Sequence, residues 1–596
     1  MKYTGTFEEL KELLKSVVNE TWDETQPNKK VVKQGRGILN WHPTTGSFLF
    51  QGKEPDKSNF AKKVIGILDP SATLENKAPP VLDVVSGAKA EPHATFSAAK
   101  YLRNDFGESE LIFGVVSAVG TDTERVIRSL KDRLKLFRYD VVEIKVSSLL
   151  SSSATTKETE YERIRRLMGC GDHLRKETND NSILALGVTK KIAEQRGAAT
   201  GRKAYIVNSL KHPDEVDFLR KIYGQGFYLL GIHADSKRRN KYLSEDKGLT
   251  PTQAEELIDI DEDENVTYGQ RTRDTFHKAD FFINLGSNDD QVKHSLDRFL
   301  ELIFAHPYKT PTFDEFAMFM AFSSSVRSGD LSRQVGAVLA KNSQIIAMGA
   351  NDCPQFGGGL YWAKMDKSGE ITDAPSGKDF TRGQDSNKAE QKNIIDDIAG
   401  KISKVDGLEK KHLSKITEIL SDSRIGDLTE FGRVVHAEME TLLSCARSGI
   451  DASGAVLYCT TFPCHNCAKH IIAAGVSRVV YVEPYPKSKA LDFHEDSIFL
   501  KEELESEVPE NFVAFEPFTG VGARRFLDLF SMSLGDGSKL RRKDKEGNVL
   551  EWDRNKANLR VTLLPCSYRD LEKEATKCFD EALKTVHEKK PHDHSV

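Results

Sequence analysis

The chain has 596 residues, too many for one hydrophobic core; at roughly 100–200 residues per domain, three or four folded units are expected. Apolar residues at 38% and charged residues at 29% fit a globular protein and exclude wholesale disorder. With 85 Lys and Arg against 90 Asp and Glu, a net charge of −5 argues against a general nucleic-acid coat.

From the N-terminus, MKYTGTFEELKELLKSV is a charged amphipathic pattern without the apolar core of an export signal, which points to the cytoplasm. It predicts a helix over Phe7–Val18, followed by a hairpin over Gly37–Phe50 with HPTTGS as its turn. Residues 1–100 suggest no function, and Ser71–Ala94, rich in Pro, Ala and Lys, has the composition of a linker. No apolar run approaches the ~20 residues of a membrane span.

From Glu110 the pattern alternates. Leu111–Val116, Tyr139–Ile144, Ala204–Val207, Phe227–His233 and Phe281–Leu285 are strand-length apolar runs separated by charged helical stretches, the first being Glu124–Phe137. That order predicts a parallel sheet with helices on both faces, over 105–310. A second α/β block, 311–535, opens with a helix at Phe313–Ser325 and a hairpin of Val335–Leu339 with Ile345–Gly349. A polar insertion at 357–432 interrupts it. Residues 536–596 form a C-terminal extension whose stripe of Leu571, Ala575, Phe579 and Leu583 predicts a helix.

Eight cysteines over this length are not a disulfide framework; in a reducing compartment they are thiols or metal ligands. The chemistry concentrates after the insertion. His436-Ala437-Glu438 is followed by TTFPCHNCAKHIIAAG at Thr460–Gly475, so that one His, a Glu two residues on and a Pro-Cys-x-x-Cys match the signature of zinc deaminases. His436, Cys464 and Cys467 supply three ligands for Zn2+ and leave a fourth tetrahedral position to water, which the metal acidifies. Glu438, not itself a ligand, is the proton shuttle that attack on C4 of cytosine requires. Met439, Leu442, Leu443 and Ala446 sit at helical spacing after His436, and Ala468, Ile471 and Ile472 repeat the pattern up to Gly475, with strands at Ala455–Cys459 and Val479–Val482. The ligands therefore come from two helix N-termini, where thiolate charge is favoured. The rival is a closed structural zinc with Cys459 or His470 as fourth ligand, which would leave Glu438 without a use.

These motifs resemble the deoxycytidylate deaminase family of the cytidine-deaminase fold, through FPCHNCAKHIIAAG and, upstream, through VRSGDLSRQVGAVLAKNSQIIAMGANDCP. The resemblance covers Thr312–Asp496 apart from the insertion. It implies that Asn351 hydrogen-bonds the deoxyribose, while Ala350 stands where the family has Tyr. A phosphate contact is sought among Arg327, Ser332 and Arg333, because a guanidinium fork matches phosphate oxygens. Tyr481 and Tyr485 follow the last strand and could flank the base, although core packing is the commoner use of such rings.

The first α/β block resembles a P-loop nucleoside-phosphate kinase with a degenerate loop. Gly114, Gly120 and Thr121 fall between a strand and a helix, where backbone N–H groups cradle phosphate, but GVVSAVGTDTE lacks the lysine of GxxxxGK[ST]. Thr121 and Asp122 occupy its place, so a non-catalytic nucleotide sensor or scaffold is expected. The fold class is thus α/β: an N-terminal P-loop kinase-like parallel-sheet domain plus a cytidine-deaminase-like αβα domain. That arrangement resembles the bacterial anti-phage dCTP/dCMP deaminases. The resemblance implies deamination of free deoxycytidine nucleotides, a homo-oligomer with a hexamer among its forms, and control by a small regulatory RNA or a nucleotide effector. Two other functions fit the residues: a deaminase of single-stranded DNA or RNA, and a nucleotide-sensing regulatory protein with a structural zinc.

Overall fold

The computed structural model describes residues 3, 5–26, 29–43, 47–52, 56–68, 109–153, 158–196, 201–262, 268–286, 288–405, 412–428, 430–483, 488–501, 506–536 and 538–563. The expected linker at Ser71–Ala94 and the expected tail helix from Leu571 lie outside them. Two compact units result, Met1–His93 and Ala94–Val596.

In the first unit four antiparallel strands follow one another: β1 (Asp23–Gln26), β2 (Lys29–Gln34), β3 (Gly37–His42) and β4 (Ser47–Gly52). The expected hairpin is β3 with β4, paired from Gly37↔Gly52 to His42↔Ser47. The first two strands escape the sequence because TQPNKKVVKQ is polar and offers only Val31 and Val32 as an apolar cue. The helix runs over Phe7–Leu14, four residues short of the expected end, and Thr6 and Glu9 close a capping box at its start. Leu10, Leu14, Val32, Leu39, Trp41 and Phe60 form a core of their own.

The second unit holds two six-stranded sheets. In the first, β5 (Leu111–Ser117), β6 (Asp140–Lys145), β7 (Lys203–Asn208), β8 (Phe227–His233) and β9 (Phe281–Asn284) are all parallel, in the order β9-β8-β5-β7-β6. β5 is buried at every position, which explains its unbroken apolar run: a parallel strand covered on both faces has no polar side. The helix after it, Thr123–Leu136, starts where the Asp122 carboxylate accepts the Arg125 N–H. Asp122 is therefore a helix cap rather than a misplaced charge beside a phosphate.

The second sheet joins β10 (Gly336–Lys341), β11 (Gln344–Ala350), β14 (Val456–Thr461), β15 (Arg478–Glu483), β16 (Ile498–Leu500) and β17 (Val513–Pro517) in the order β11-β10-β14-β15-β17-β16. The β10–β11 hairpin turns on Asn342 and Ser343, both at positive φ, the geometry that matches strand twist in a two-residue turn. Between β11 and β14 the insertion carries a minimal hairpin, β12 (Lys364–Met365) with β13 (Ile371–Thr372), then helices Asp379–Arg382, Ser386–Ile402 and Leu413–Ser421. Its two ends meet, because Asp352 and Val435 exchange backbone hydrogen bonds.

The two sheets share a core. Ile112, Tyr205 and Phe282 of the first and Val338, Tyr458 and Val480 of the second belong to one apolar cluster that includes Met318 and Ala321 of the Phe313–Ser325 helix. After β17 the chain returns to the first sheet: β18 (Gly520–Val521) pairs antiparallel with β9 and covers an edge that would otherwise be open to other chains. Glu315 fixes this junction, accepting from the Val521 N–H at 3.0 Å and pairing with Arg298 at 2.6 Å. Ala557 and Leu559 of the extension then pack with Phe137 and Phe304 in the core of the first sheet.

Candidate functional site

Two helices begin on the same face of the second sheet. His436 is the N-cap of Ala437–Ser448 and Cys464 the N-cap of His465–Ala473, both with extended backbone, and Cys467 lies in the first turn of the second helix. Neither cap spends its side chain on its helix, so both point to a common spot. His436 Nδ1 lies 3.3 Å from Cys467 Sγ and 3.4 Å from Cys464 Sγ, and all three donor atoms fall within 4.8 Å of one another. A tetrahedral zinc with Zn–N of ~2.0–2.1 Å and Zn–S of ~2.3 Å sets an N···S edge of about 3.6 Å, so the trio fits zinc in distance as well as in ligand type.

The electrostatics favour the same occupant. The hydrogen bond from Cys467, helped by His436, draws the Cys464 thiol far down, and Cys464 in turn raises His436. A thiolate held beside an imidazole at two helix N-termini is a preformed soft-donor set. Glu438 is 4% exposed in the first turn of its helix, and burial pushes its carboxyl up despite the opposing pull of His436. A carboxyl that holds its proton nearer to neutrality suits proton transfer in both directions.

Among the described residues the closed-zinc alternative finds no fourth ligand. Cys459 is fully buried in β14 with its thiol toward the Val480 carbonyl at 3.7 Å, and His470 is exposed and bonded to the Asn466 carbonyl of its own helix at 2.7 Å. Among the described residues the metal-ligating group is His436, Cys464 and Cys467.

The expected substrate residues gather in the loop between the Phe313–Ser325 helix and β10, beside the end of β11. Asn351 is buried, its Oδ1 accepting the Val335 N–H at 2.7 Å and its Nδ2 donating to the Arg333 carbonyl at 2.9 Å. The amide therefore holds the loop first and keeps one N–H for a ligand. Ser332 and Arg333 are exposed, with both backbone N–H groups bound to the Asp330 carboxylate. Arg327 donates to the Tyr361 carbonyl at 2.9 Å and lies over the Trp362 ring, 3.6 Å from its centroid. Tyr481 is buried against Phe462 and is a core ring; Tyr485 lies outside the described residues.

The phosphate-loop reading of the first sheet meets a different geometry. Gly114 is inside β5, where any side chain would strike Leu210, Phe227 and Leu229, so it serves sheet packing rather than a loop. Gly120 does turn the chain, at φ +82° beneath the Arg239 carbonyl, and Thr121 follows it, buried. The anion of this turn comes from the chain itself: Asp261 accepts the Val119 N–H at 2.7 Å, a Lys211 ammonium hydrogen at 2.9 Å and the Thr272 hydroxyl at 3.0 Å. Asp261 lies 142 residues from Val119 and near the end of the Pro251–Glu262 helix, where no local pattern marks it. Sequence reasoning likewise passed over Asp352, Lys378 and Trp362, because they sit in or beside a polar insertion without periodicity.

Comparison with known proteins agrees with the metal site. The family model for the cytidine and deoxycytidylate deaminase zinc-binding region matches residues 311–483. Deoxycytidylate deaminase of enterobacteria phage T2 is 31% identical over 170 residues, which is 28% of this chain and 79% of that protein. Deoxycytidylate deaminase of Schizosaccharomyces pombe is 23% identical over 291 residues, 48% of this chain and 71% of that protein. A crystal structure of the dCMP deaminase of cyanophage S-TIM5 with dCMP and dUMP is 23% identical, covering 35% of this chain and 100% of that one at a TM-score of 0.20.

Proposed function

The chain belongs to the deoxycytidylate deaminase family, and from that premise we propose that it hydrolyses the 4-amino group of free deoxycytidine nucleotides, dCMP, dCTP or both. Water enters, ammonia leaves and the uracil nucleotide remains. The observation that carries this reading is the convergence of His436, Cys464 and Cys467 beside the buried Glu438.

His436, Cys464 and Cys467 would hold zinc, which would supply a Lewis acid to make water a nucleophile at neutral pH. Metal binding would take the protons from His436 and Cys467, Cys464 being already drawn toward thiolate, and the fully buried Cys467 shields one side of the centre from bulk water. The Glu438 carboxylate takes a proton from the attacking water and passes it to N3 of the ring. It then takes the second proton from the new C4 hydroxyl and gives it to the departing amine, leaving the uracil carbonyl and ammonia, a sequence that a buried carboxyl of raised pKa can repeat. Asn351 is placed to meet the sugar with its remaining N–H, and Arg327 and Arg333 are the nearby cations for phosphate.

The resemblance to anti-phage dCTP/dCMP deaminases supports depletion of the cytosine deoxynucleotide pool as the biological role, in the cytoplasm, by a homo-oligomer under an RNA or nucleotide effector. The parallel sheet with its glycine turn supports a kinase-like scaffold. The Asp261 carboxylate at that turn favours scaffold over nucleotide sensor. Among the described residues no helix is long and apolar enough to cross a membrane.

Purified zinc-loaded protein incubated separately with dCMP, dCTP and a cytosine-bearing oligonucleotide tests the reading through the uracil product and released ammonia. Turnover of a mononucleotide is expected. Turnover of the oligonucleotide alone would replace the proposal with polynucleotide editing.

A further inference from the structure

The insertion at 357–432 leaves the fold after Pro354 and returns at Val435, one residue before the zinc ligand His436. Polar and exposed for most of its length, it turns two side chains inward onto the loop that carries the candidate phosphate ligands.

The first is Lys378, only 7% exposed. Its ammonium lies 3.2 Å from the Asp352 carboxylate and 3.5 Å from that of Asp373. Asp352, 1% exposed, follows Asn351 directly and uses the same carboxylate to accept the Gly329 N–H at 3.4 Å and the Cys353 N–H at 2.8 Å. A side chain at Gly329 would meet the Phe380 ring at 3.0 Å and the Lys378 stem at 3.1 Å, so the insertion rests directly on the loop's backbone. The second is Trp362, 56% exposed, under which the Arg327 guanidinium lies while its Nη2 donates to the neighbouring Tyr361 carbonyl. On the return path Arg433 binds the Asp379 carboxylate at 2.7 Å, which ties the Lys378 segment to the chain leading into His436.

A buried ion pair is a weak source of stability, because desolvation offsets most of its attraction; its best-attested use is to select one arrangement over others. An exposed ring under a guanidinium adds little net energy but fixes the plane of the fork. Both devices act on Val326–Gln334, a loop also held by Ser328 on the Asn351 carbonyl, by Gln334 on the Ser328 carbonyl, by the Asp330 carboxylate and by the Asn351 amide.

We propose that the insertion is the positioning element of the nucleotide pocket: Lys378, through Asp352, sets the Gly329 turn, and Trp362 sets the orientation of Arg327 toward the substrate's phosphate. Neither touches the reacting atoms, so both are positioning residues. The proposal rests on the deaminase reading and adds the source of its selectivity for phosphorylated over free nucleosides.

Steady-state kinetics of Lys378→Met, Trp362→Ala and Lys378→Arg on dCMP and on deoxycytidine, with zinc content measured in each, test it. A displacement of about 1 Å can cost roughly 100-fold. The expected result is therefore a roughly 10- to 100-fold fall in kcat/KM for dCMP, mostly in KM, for Lys378→Met and Trp362→Ala. Lys378→Arg should recover most of the loss, deoxycytidine turnover should change by less than roughly 3-fold, and zinc content should equal that of the unaltered protein. Unchanged dCMP kinetics would overturn the proposal, as would equal losses on dCMP and deoxycytidine, which mark a general folding role. An unaltered protein inactive on every deoxycytidine compound would instead overturn the deaminase reading beneath it.

Discussion

Two junctions in this molecule use the same device, a strand feeding a turn at a helix N-terminus, and use it in opposite ways. After β14 the cap is Cys464, and where the insertion that follows β11 returns the cap is His436; both side chains turn away from their helices toward a shared point. At the end of β5 the cap is Asp122, which satisfies its own helix, and the Val119 N–H is already bound to Asp261. A helix N-terminus is thus an opportunity for anion or metal chemistry, and the side chains around it decide whether an outside group or the chain itself takes the place. The first junction is built to hold a cofactor, and the second is closed by an internal salt bridge.

The sharpest way to break this contrast is at the metal. Cys467→Ala removes one of three ligands, so zinc content by elemental analysis and deamination should both fall to background; full zinc occupancy would place the metal elsewhere. Glu438→Gln keeps the ligands and the shape but cannot shuttle protons. It should retain zinc and lose roughly 100- to 10,000-fold in kcat, and near-normal turnover would remove Glu438 from the mechanism.

At the second junction Asp261→Ala leaves Lys211, whose side chain is 17% exposed, without its carboxylate partner. A loss of about 3 kcal/mol in unfolding free energy is expected, with deamination by the folded fraction unchanged. An unshifted urea midpoint would show that the turn does not depend on its internal anion.

His212, next to Lys211, is 1% exposed and caps the Pro213–Tyr223 helix with Nδ1 as acceptor. Burial holds it down at about 4 from the ordinary 6.5. The unfolded chain therefore binds a proton that the folded chain refuses: this contribution is intact above pH 6.5 and is lost as the pH falls toward about 4. His212→Asn keeps a capping acceptor without titrating, so its urea midpoint should drop less steeply across that window; parallel slopes would remove His212 as the cause.

The smallest effect is expected at Thr121, whose hydroxyl is buried without a hydrogen-bond partner among the described residues. Thr121→Val should raise stability by about 1 kcal/mol, and a decrease would show that the hydroxyl is used.

Much of this was legible in the residues. Four of the five parallel strands of the first sheet, β5, β7, β8 and β9, appear as apolar runs because both of their faces are covered, whereas β6 at the edge carries Asp140 and Glu143, and the helix at Phe313–Ser325 has the bounds its pattern predicts. The metal trio was legible because chemistry fixes ligand type and spacing over two short segments. β1 and β2 were not, since short polar strands carry no strong apolar alternation. The insertion showed no pattern of its own, because its order comes from contacts such as Lys378 with Asp352 rather than from an amphipathic stripe.

The sequence by itself determined the α/β class and marked out His436, Cys464, Cys467 and Glu438 as the candidate site, all through local pattern. Tertiary structure alone decided that the Cys459 thiol meets the Val480 carbonyl, that Asp261 closes the β5 turn and that Gly114 packs a sheet. It also decided that the insertion grips the loop of Arg327 and that the chain after β17 returns to the first sheet. Each of these depends on residues distant in the chain meeting in space, and one-dimensional spacing carries no record of which buried charge finds which partner.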